Sequence, residues 1–330
     1  MGKRPTVTIL LLCTFLSTAK CQSWFSNPGF QSIIIVNPAS AGAESDGILR
    51  MSFKNQYPDC GFGLYTASVS YDVYSSFLHG GLSGYVLNEY LGGVINDTRG
   101  GFSYSYHLKA GREFYVNAGL GAAIQNRAIN RQKIILPDQI DPLMGAALPS
   151  SDFPETRGRV FFDIATGFLV TYRNYTGSFS INHLTKPDIE GSGSTESILK
   201  RQFSIYIFST FYLDSRQIWQ VKPLFCYESY GKNLLFAGGT VLTAGILSLN
   251  TLIMTNNVGD INMHTGLNFK KRKFLFFYNY CFNLSSANEM LPFSLYRQAG
   301  ISINLNSVDK RKTINTINIP ELELYLLKKS

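Results

Sequence analysis

The side chains in this 330-residue chain that could carry out chemistry are few and scattered. Its four histidines, His79, His107, His183 and His264, each fall in or beside a predicted strand. None has a second ligand at a metal-binding spacing such as HExxH. Asp163 and His183 lie on neighbouring predicted strands and make the best candidate pair, because a carboxylate can orient an imidazole as a general base. No nucleophile held by an orienting partner accompanies them, so the sequence points away from a hydrolase. Gly119-Leu-Gly-Ala-Ala begins like a dinucleotide fingerprint, but no strand–helix unit follows it, and strand glycines explain it better. No catalytic residue, metal or cofactor is expected.

The first residues speak of export, and the cysteines add nothing to that. Lys3 and Arg4 precede an apolar run from Val7 to Phe15 that is too short to span a bilayer. Ala19-Lys20-Cys21 then fits a small-x-small cleavage site, with residues 1–21 as a signal peptide. Lipidation at Cys21 is the rival reading, and Lys20 is a poor fit to a lipobox. Cys60, Cys226 and Cys281 remain beyond the leader, an odd number at long spacings that gives no disulfide framework and no CxxC pair.

Stepping along the chain, bulky apolar residues alternate with small or polar ones in about 14 short segments between Gly47 and Asn306. In the clearest, Phe162, Ile164, Phe168, Val170 and Tyr172 share one parity while Asp163, Ala165, Gly167 and Thr171 share the other. Successive strand side chains point to opposite faces, so each segment has one oily face and one smaller, wetter face. Repeated along an exported chain, this predicts an all-β fold, a transmembrane antiparallel β-barrel of the outer membrane. Charged residues make up only 16% of the chain, below the roughly 25% of a soluble domain. Aromatics reach 14%, which suits ring girdles at two membrane interfaces. Mean hydropathy near zero excludes a helical membrane bundle. The +8 formal charge is spread out, with clusters at Lys270–Lys273 and Lys310–Lys312 expected in solvated or headgroup-facing turns. No nucleic-acid reading module is visible.

The chain divides on this basis into an N-terminal periplasmic or plug segment at 22–46, a barrel at 47–306 and a periplasmic tail at 307–330. Asn37-Pro38 through Gly42 reads as a tight turn that closes the barrel mouth. Arg127–Thr156 is the longest break and is expected outside, since the periplasmic turns of such barrels are short. Val241–Met254 resembles a membrane helix but is short and interrupted by Gly245, Ser248 and Asn250, so a hairpin is expected. Partner contacts are assigned to Asn37, Pro38 and Gly42 in the first segment and to Asp138, Asp141 and Pro142 in the long loop.

Several phrases taken together resemble the PorP/SprF family of type IX secretion system membrane proteins. They are Gln31-Ser-Ile-Ile-Ile-Val-Asn-Pro-Ala-Ser-Ala-Gly42, Asn55-Gln-Tyr-Pro58, Ser70-Tyr-Asp72, Leu78-His-Gly-Gly81, Tyr104-Ser-Tyr-His-Leu108, Pro137-Asp-Gln-Ile-Asp141, Asp163…Gly167 and Ile181-Asn-His-Leu-Thr-Lys-Pro187. The resemblance implies a non-enzymatic, multi-pass outer-membrane barrel of a diderm bacterium, seated in outer-membrane lipid. Its implied partners are secreted cargo with a C-terminal targeting domain, such as adhesins, and periplasmic type IX machinery or an OmpA-like protein. Relatives are linked with surface anchoring and gliding motility. Ser40 departs from the family phrase, where an aromatic is common, so the plug is expected to sit differently there. A porin or small-solute transporter is the alternative, and a surface hydrolase using Asp163 and His183 is a third reading.

Overall fold

The computed structural model describes residues 33–44, 47–61, 63–130, 134, 139–141, 145–146, 158–189, 197–286 and 292–305. The alternating segments become a curled wall. Its strands are β1 (Ile48–Gln56), β2 (Leu64–Ser75), β3 (Gly80–Leu91), β4 (Ile95–Lys109) and β5 (Phe114–Ile129), then β8 (Gly158–Tyr172), β9 (Tyr175–Asn182) and β10 (Gln202–Ser209). They continue as β11 (Phe211–Tyr212), β12 (Trp219–Tyr230), β13 (Asn233–Ala244), β14 (Leu247–Asn256), β15 (Ile261–Lys271), β16 (Phe274–Ser285) and β17 (Ser294–Asn304). A separate two-residue hairpin, β6 (Ile140–Asp141) with β7 (Gly145–Ala146), lies in the long connection between β5 and β8.

Each stave pairs antiparallel with its neighbour, and the ends meet: Ile48 on β1 faces Asn304 on β17, and Gln56 faces Tyr296. Both β10 and β11 pair with β12 in one register, Phe208 opposite Leu224 and Phe211 opposite Val221, so the two are one stave interrupted at Thr210 with no extra residue on either strand. Fourteen staves therefore close the barrel, as the sequence pattern predicts. A closed ring satisfies every wall hydrogen bond internally, which hydrocarbon demands.

Parity decides which side chains meet lipid. Phe162 is 51% exposed on the outer wall, while Asp163 next to it is 2% exposed inside. Rings cluster near both rims. Phe53, Tyr65 and Tyr90 stack at one end, and Phe114–Tyr172 and Tyr175–Phe211 meet at the other. These are two interfacial girdles.

The connections at the two ends differ in length. Residues 76–79, 110–113, 173–174, 213–218, 245–246 and 272–273 make short turns at the end where β1 starts and β17 finishes. At the opposite end, 57–63, 92–94, 130–157, 183–201, 231–232, 257–260 and 286–293 include all the long loops. Short turns are periplasmic in barrels of this class, so the long loops face outward.

Several expectations shift in detail. β5 runs to Ile129, so the long connection starts later than Arg127. Val241–Met254 is a hairpin, with β13 and β14 joined at Gly245 in a left-handed conformation (φ 63°). Lys270 does not sit in a solvated turn as expected. Inward parity at the end of β15 buries it to 6% exposure, and only Arg272 and Lys273 occupy the turn. Lys310–Lys312, the leader and the tail lie outside the described residues. No described helix is long and apolar enough to cross a membrane.

The outward assignment of β15 makes a quantitative expectation. Leu267 is exposed near the middle of that strand. Leu267→Arg should destabilise the barrel by about 2–4 kcal/mol in urea unfolding from lipid vesicles, whereas a similar change near either rim should cost about 1 kcal/mol or less.

Candidate functional site

The lumen is filled, and what fills it is the candidate site. Inward positions carry Ser, Asn, Gln and a few charges, which bond to one another because burial without a partner is costly. Asn250 donates to Asn279 at 3.3 Å, Asn279 donates to Gln298 at 3.3 Å, and the His264 ring lies 2.7 Å from the Tyr296 hydroxyl. The Tyr206 hydroxyl donates to the Glu228 carboxylate. One sector is apolar instead, with Phe208, Leu224, Leu252 and Met254 packed together.

Residues 33–44 enter this interior. A single helical turn, α1 (Ile33–Val36), is followed by Asn37 and a 3-10 turn over Pro38–Ser40. Pro38 suits the first position of such a turn, where no amide partner is needed. Asn37 caps the turn, its Oδ1 accepting from the Ala39 amide at 2.8 Å. Its Nδ2 reaches the wall, donating to Ser178 Oγ at 2.6 Å and to the Phe168 carbonyl at 3.1 Å. The wall answers with donors of its own. Ser105 Oγ bonds to the Ala39 carbonyl at 2.9 Å, Asn182 Nδ2 to the Val36 carbonyl at 2.9 Å, and His107 Nε2 to the Ala41 carbonyl at 3.0 Å. A carbonyl only accepts, so His107 carries its proton on Nε2. Near the periplasmic rim, Arg50 holds Glu44 at 2.5 Å and also pairs with Asp72. Ser40, the position that departs from the family phrase, turns its hydroxyl back onto the Asn37 carbonyl at 2.6 Å.

Space for this segment comes from one row of small residues. Strand register aligns Gly81, Ser105, Gly119, Gly167, Ser180 and Ser204 across β3, β4, β5, β8, β9 and β10. A Cβ at Gly119 would overlap the backbone of Pro38 and Ala39, one at Gly167 would overlap the Asn37 side chain, and one at Gly81 would overlap Ala41. Gly42 itself needs its positive φ of 63° and lies against Gly81 and Val73.

Above the plug, towards the outer end, lies a charged cluster. The Asp163 carboxylate accepts from His183 Nδ1 at 2.7 Å, from Thr185 Oγ1 at 3.1 Å and from Arg99 Nη2 at 3.4 Å. Arg127 grips Asp97 through Nε and Nη2, at 2.9 and 2.6 Å. The structure thus brings together the Asp163–His183 pair singled out from sequence. Its bonds to Arg99 and Thr185 tie β4, β8 and the segment after β9 together, which is a tethering use of the pair.

Of the residues assigned to partners, Asn37 and Pro38 are buried in the lumen and Gly42 closes the segment's exit. Asp141 belongs to the β6–β7 hairpin, with its backbone opposite Gly145. Asp138 and Pro142 lie outside the described residues. The sequence reading took Gly119 as an ordinary strand glycine and missed its part in a cradle. Only the register between strands aligns them. Cys60, Cys226 and Cys281 are free thiols.

Comparisons with known proteins agree with this geometry. The family model described as "Type IX secretion system membrane protein PorP/SprF" matches residues 26–294. Among solved structures, the chain is similar to the TodX deltaS2S3 mutant monoaromatic hydrocarbon channel, at 11% identity and a TM-score of 0.51, over 83% of this chain and 94% of that one. It is also similar to the Ralstonia pickettii toluene transporter TbuX, at 8% identity and a TM-score of 0.51, over 82% and 92%. At such identities the likeness shows a shared outer-membrane barrel fold alone. No curated protein sequence matches the chain.

Two substitutions test the plug's anchorage. Asn37→Ala leaves wall acceptors unpaired and should cost about 1–3 kcal/mol, raising maleimide labelling of an Ala41→Cys reporter by roughly 5- to 150-fold. Gly119→Leu should expose the same reporter fully, because its side chain occupies the space of Pro38 and Ala39.

Proposed function

The chain belongs to the PorP/SprF family of type IX secretion system membrane proteins, and from that premise we propose a non-enzymatic role in moving or anchoring large surface proteins. Cargo with a C-terminal targeting domain would dock on the outward loops, of which 130–157 and 183–201 are the longest. Periplasmic machinery, or an OmpA-like protein, would meet the short-turn end, where Glu44, Arg50 and the 272–273 turn lie. The observation that carries this reading is the filled lumen. A segment bonded to β4, β5, β8 and β9 occupies the interior, and an Arg99–Asp163–His183 cluster lies above it. A barrel so occupied is suited to present its ends rather than to conduct solute.

Asn37, Pro38 and Gly42 act in this scheme by seating the plug, and partners would feel them through the shape of the periplasmic mouth. The Asp163–His183 pair serves the wall.

Deleting the gene should release one or a few large exported proteins into the medium or retain them inside the cell, as read by surface biotinylation and mass spectrometry. Unchanged display of every exported protein would overturn the proposal. The purified barrel should also give no large steady current in a planar bilayer. Large open currents from the wild-type protein would favour a channel, and loss of lipid or peptide turnover in Asp163→Ala or His183→Ala would favour an enzyme.

A further inference from the structure

A small polar pocket lies beside the base of the plug, at the periplasmic mouth. Strand register sets Arg50 on β1 opposite Ser302 on β17, Ser302 opposite Leu275 on β16, and Leu275 opposite Lys270 on β15. Strands lie about 4.8 Å apart, so the two cations are rooted about 14 Å apart along the wall. Leu275 and the small Ser302 stand between them. Both cations line one narrow pocket, together with Lys273 from the adjoining turn and Glu44 from the plug. The pocket has about 20 Å³ of free space, room for about one water-sized group.

Charge and size identify an occupant. Three cations line the pocket, and Glu44 is the one acid among its lining residues. Arg50 divides its guanidinium between two acids, Glu44 and Asp72. Asp72 is rooted in the wall, and its side chain is 1% exposed. Glu44 is rooted in the plug, and its side chain is 22% exposed. Of the two, Glu44 is the one a competing acid can displace. Lys271, Arg272 and Lys273 stand exposed beside the pocket, and Arg112, Arg173 and Arg216 stand exposed in the other short turns, against Glu113 and Asp214. A rim of that sign draws anions to the mouth. The narrow space admits the tip of a carboxylate and excludes a tetrahedral phosphate.

We propose that this pocket receives one carboxylate carried by a periplasmic polypeptide, and that its entry loosens the plug. The carboxylate bridges Lys270 and Lys273 and takes the place of Glu44 on the Arg50 guanidinium, which suits a planar, bidentate anion. Glu44 thereby loses the contact that fixes the lower end of residues 33–44. The inference rests on the reading that periplasmic machinery meets the short-turn end, and it adds the chemistry of the contact and its effect on the lumen.

The test uses the full mature protein in detergent micelles. The probes are three end-blocked glycine pentapeptides with a central glutamate, glutamine or phosphoserine, at millimolar concentration. Binding is read by saturation transfer to the peptide, and loosening by hydrogen exchange of residues 33–44. The glutamate peptide should bind and speed exchange in the plug by about fivefold or more, and the other two should do neither. Lys273→Gln should weaken binding about tenfold. Glu44→Gln removes the internal competitor, so its plug should exchange faster without any peptide and the glutamate peptide should bind it more tightly. Arg173→Gln is the control, since Arg173 is exposed on another turn and pairs with Glu113. It should respond as the wild type does. Each variant is first shown to be folded by the heat-dependent shift of its band in gel electrophoresis. Equal binding of the glutamate and glutamine peptides would overturn the proposal, as would binding with no change in exchange. An equal loss in Lys273→Gln and Arg173→Gln would reduce the effect to general attraction by the rim and overturn it too. Failure here leaves the export role standing, because that role is read separately from surface display after gene deletion.

Discussion

Lipid offers no hydrogen bonds, so every amide and carbonyl of the wall must find its partner within the wall. This constraint dictates the closed ring, and the ring in turn inverts the usual distribution of side chains. Phe162, Leu267 and their counterparts face outward, where a soluble protein would place charge. The polar residues are driven inward, where they must satisfy one another. Asn250, Asn279, Gln298, His264 and Tyr296 form such a set, and so do Asp163, His183, Arg99 and Thr185. The interior thus resembles a polar core under obligation to be complete.

A fourteen-stave ring encloses more space than its own side chains fill in the periplasmic half. The row from Gly81 to Ser204 widens that space further, and residues 33–44 take it up. The segment's Ala39 and Ala43 join the buried apolar cluster, with Val36 packed against it. The segment is also held by an asparagine cap, by Ser105, His107, Asn117 and Asn182, and by steric fit against glycine. Individual bonds of this kind contribute only about 1 kcal/mol net, so the segment's seat depends on several acting together.

Much of the wall was legible because a two-residue period survives any uncertainty in strand ends. The alternation from Val160 to Tyr172 placed Asp163 inside and Phe162 outside without reference to neighbours. The Asp163–His183 pairing was legible for the same reason, since β8 and β9 form consecutive staves. Arg99 was not, because β5 separates its strand from β8 and the arginine reaches along the interior rather than across a hairpin. The interruption at Thr210 and the inward turn of Lys270 escaped notice because the pattern shows residue types and not the local path of the backbone. The glycine cradle needed knowledge of five registers at once. Asn37 and Pro38 were read as a turn closing the barrel mouth, but their partners Ser178 and the Phe168 carbonyl lie more than a hundred residues away and carry no local signal.

The seam between β1 and β17 joins residues at opposite ends of the barrel sequence, Ile48 with Asn304. Until the last stave is delivered, the sheet has two raw margins, each a row of unsatisfied backbone groups able to template pairing with any other chain. Its exterior is meanwhile already suited to oil and not to water. A newly exported polypeptide of this kind crosses an aqueous compartment in its most aggregation-prone form and closes only on arrival. Its biogenesis therefore requires an escort across that gap and a catalyst that holds the leading margin open until the trailing one comes round to meet it.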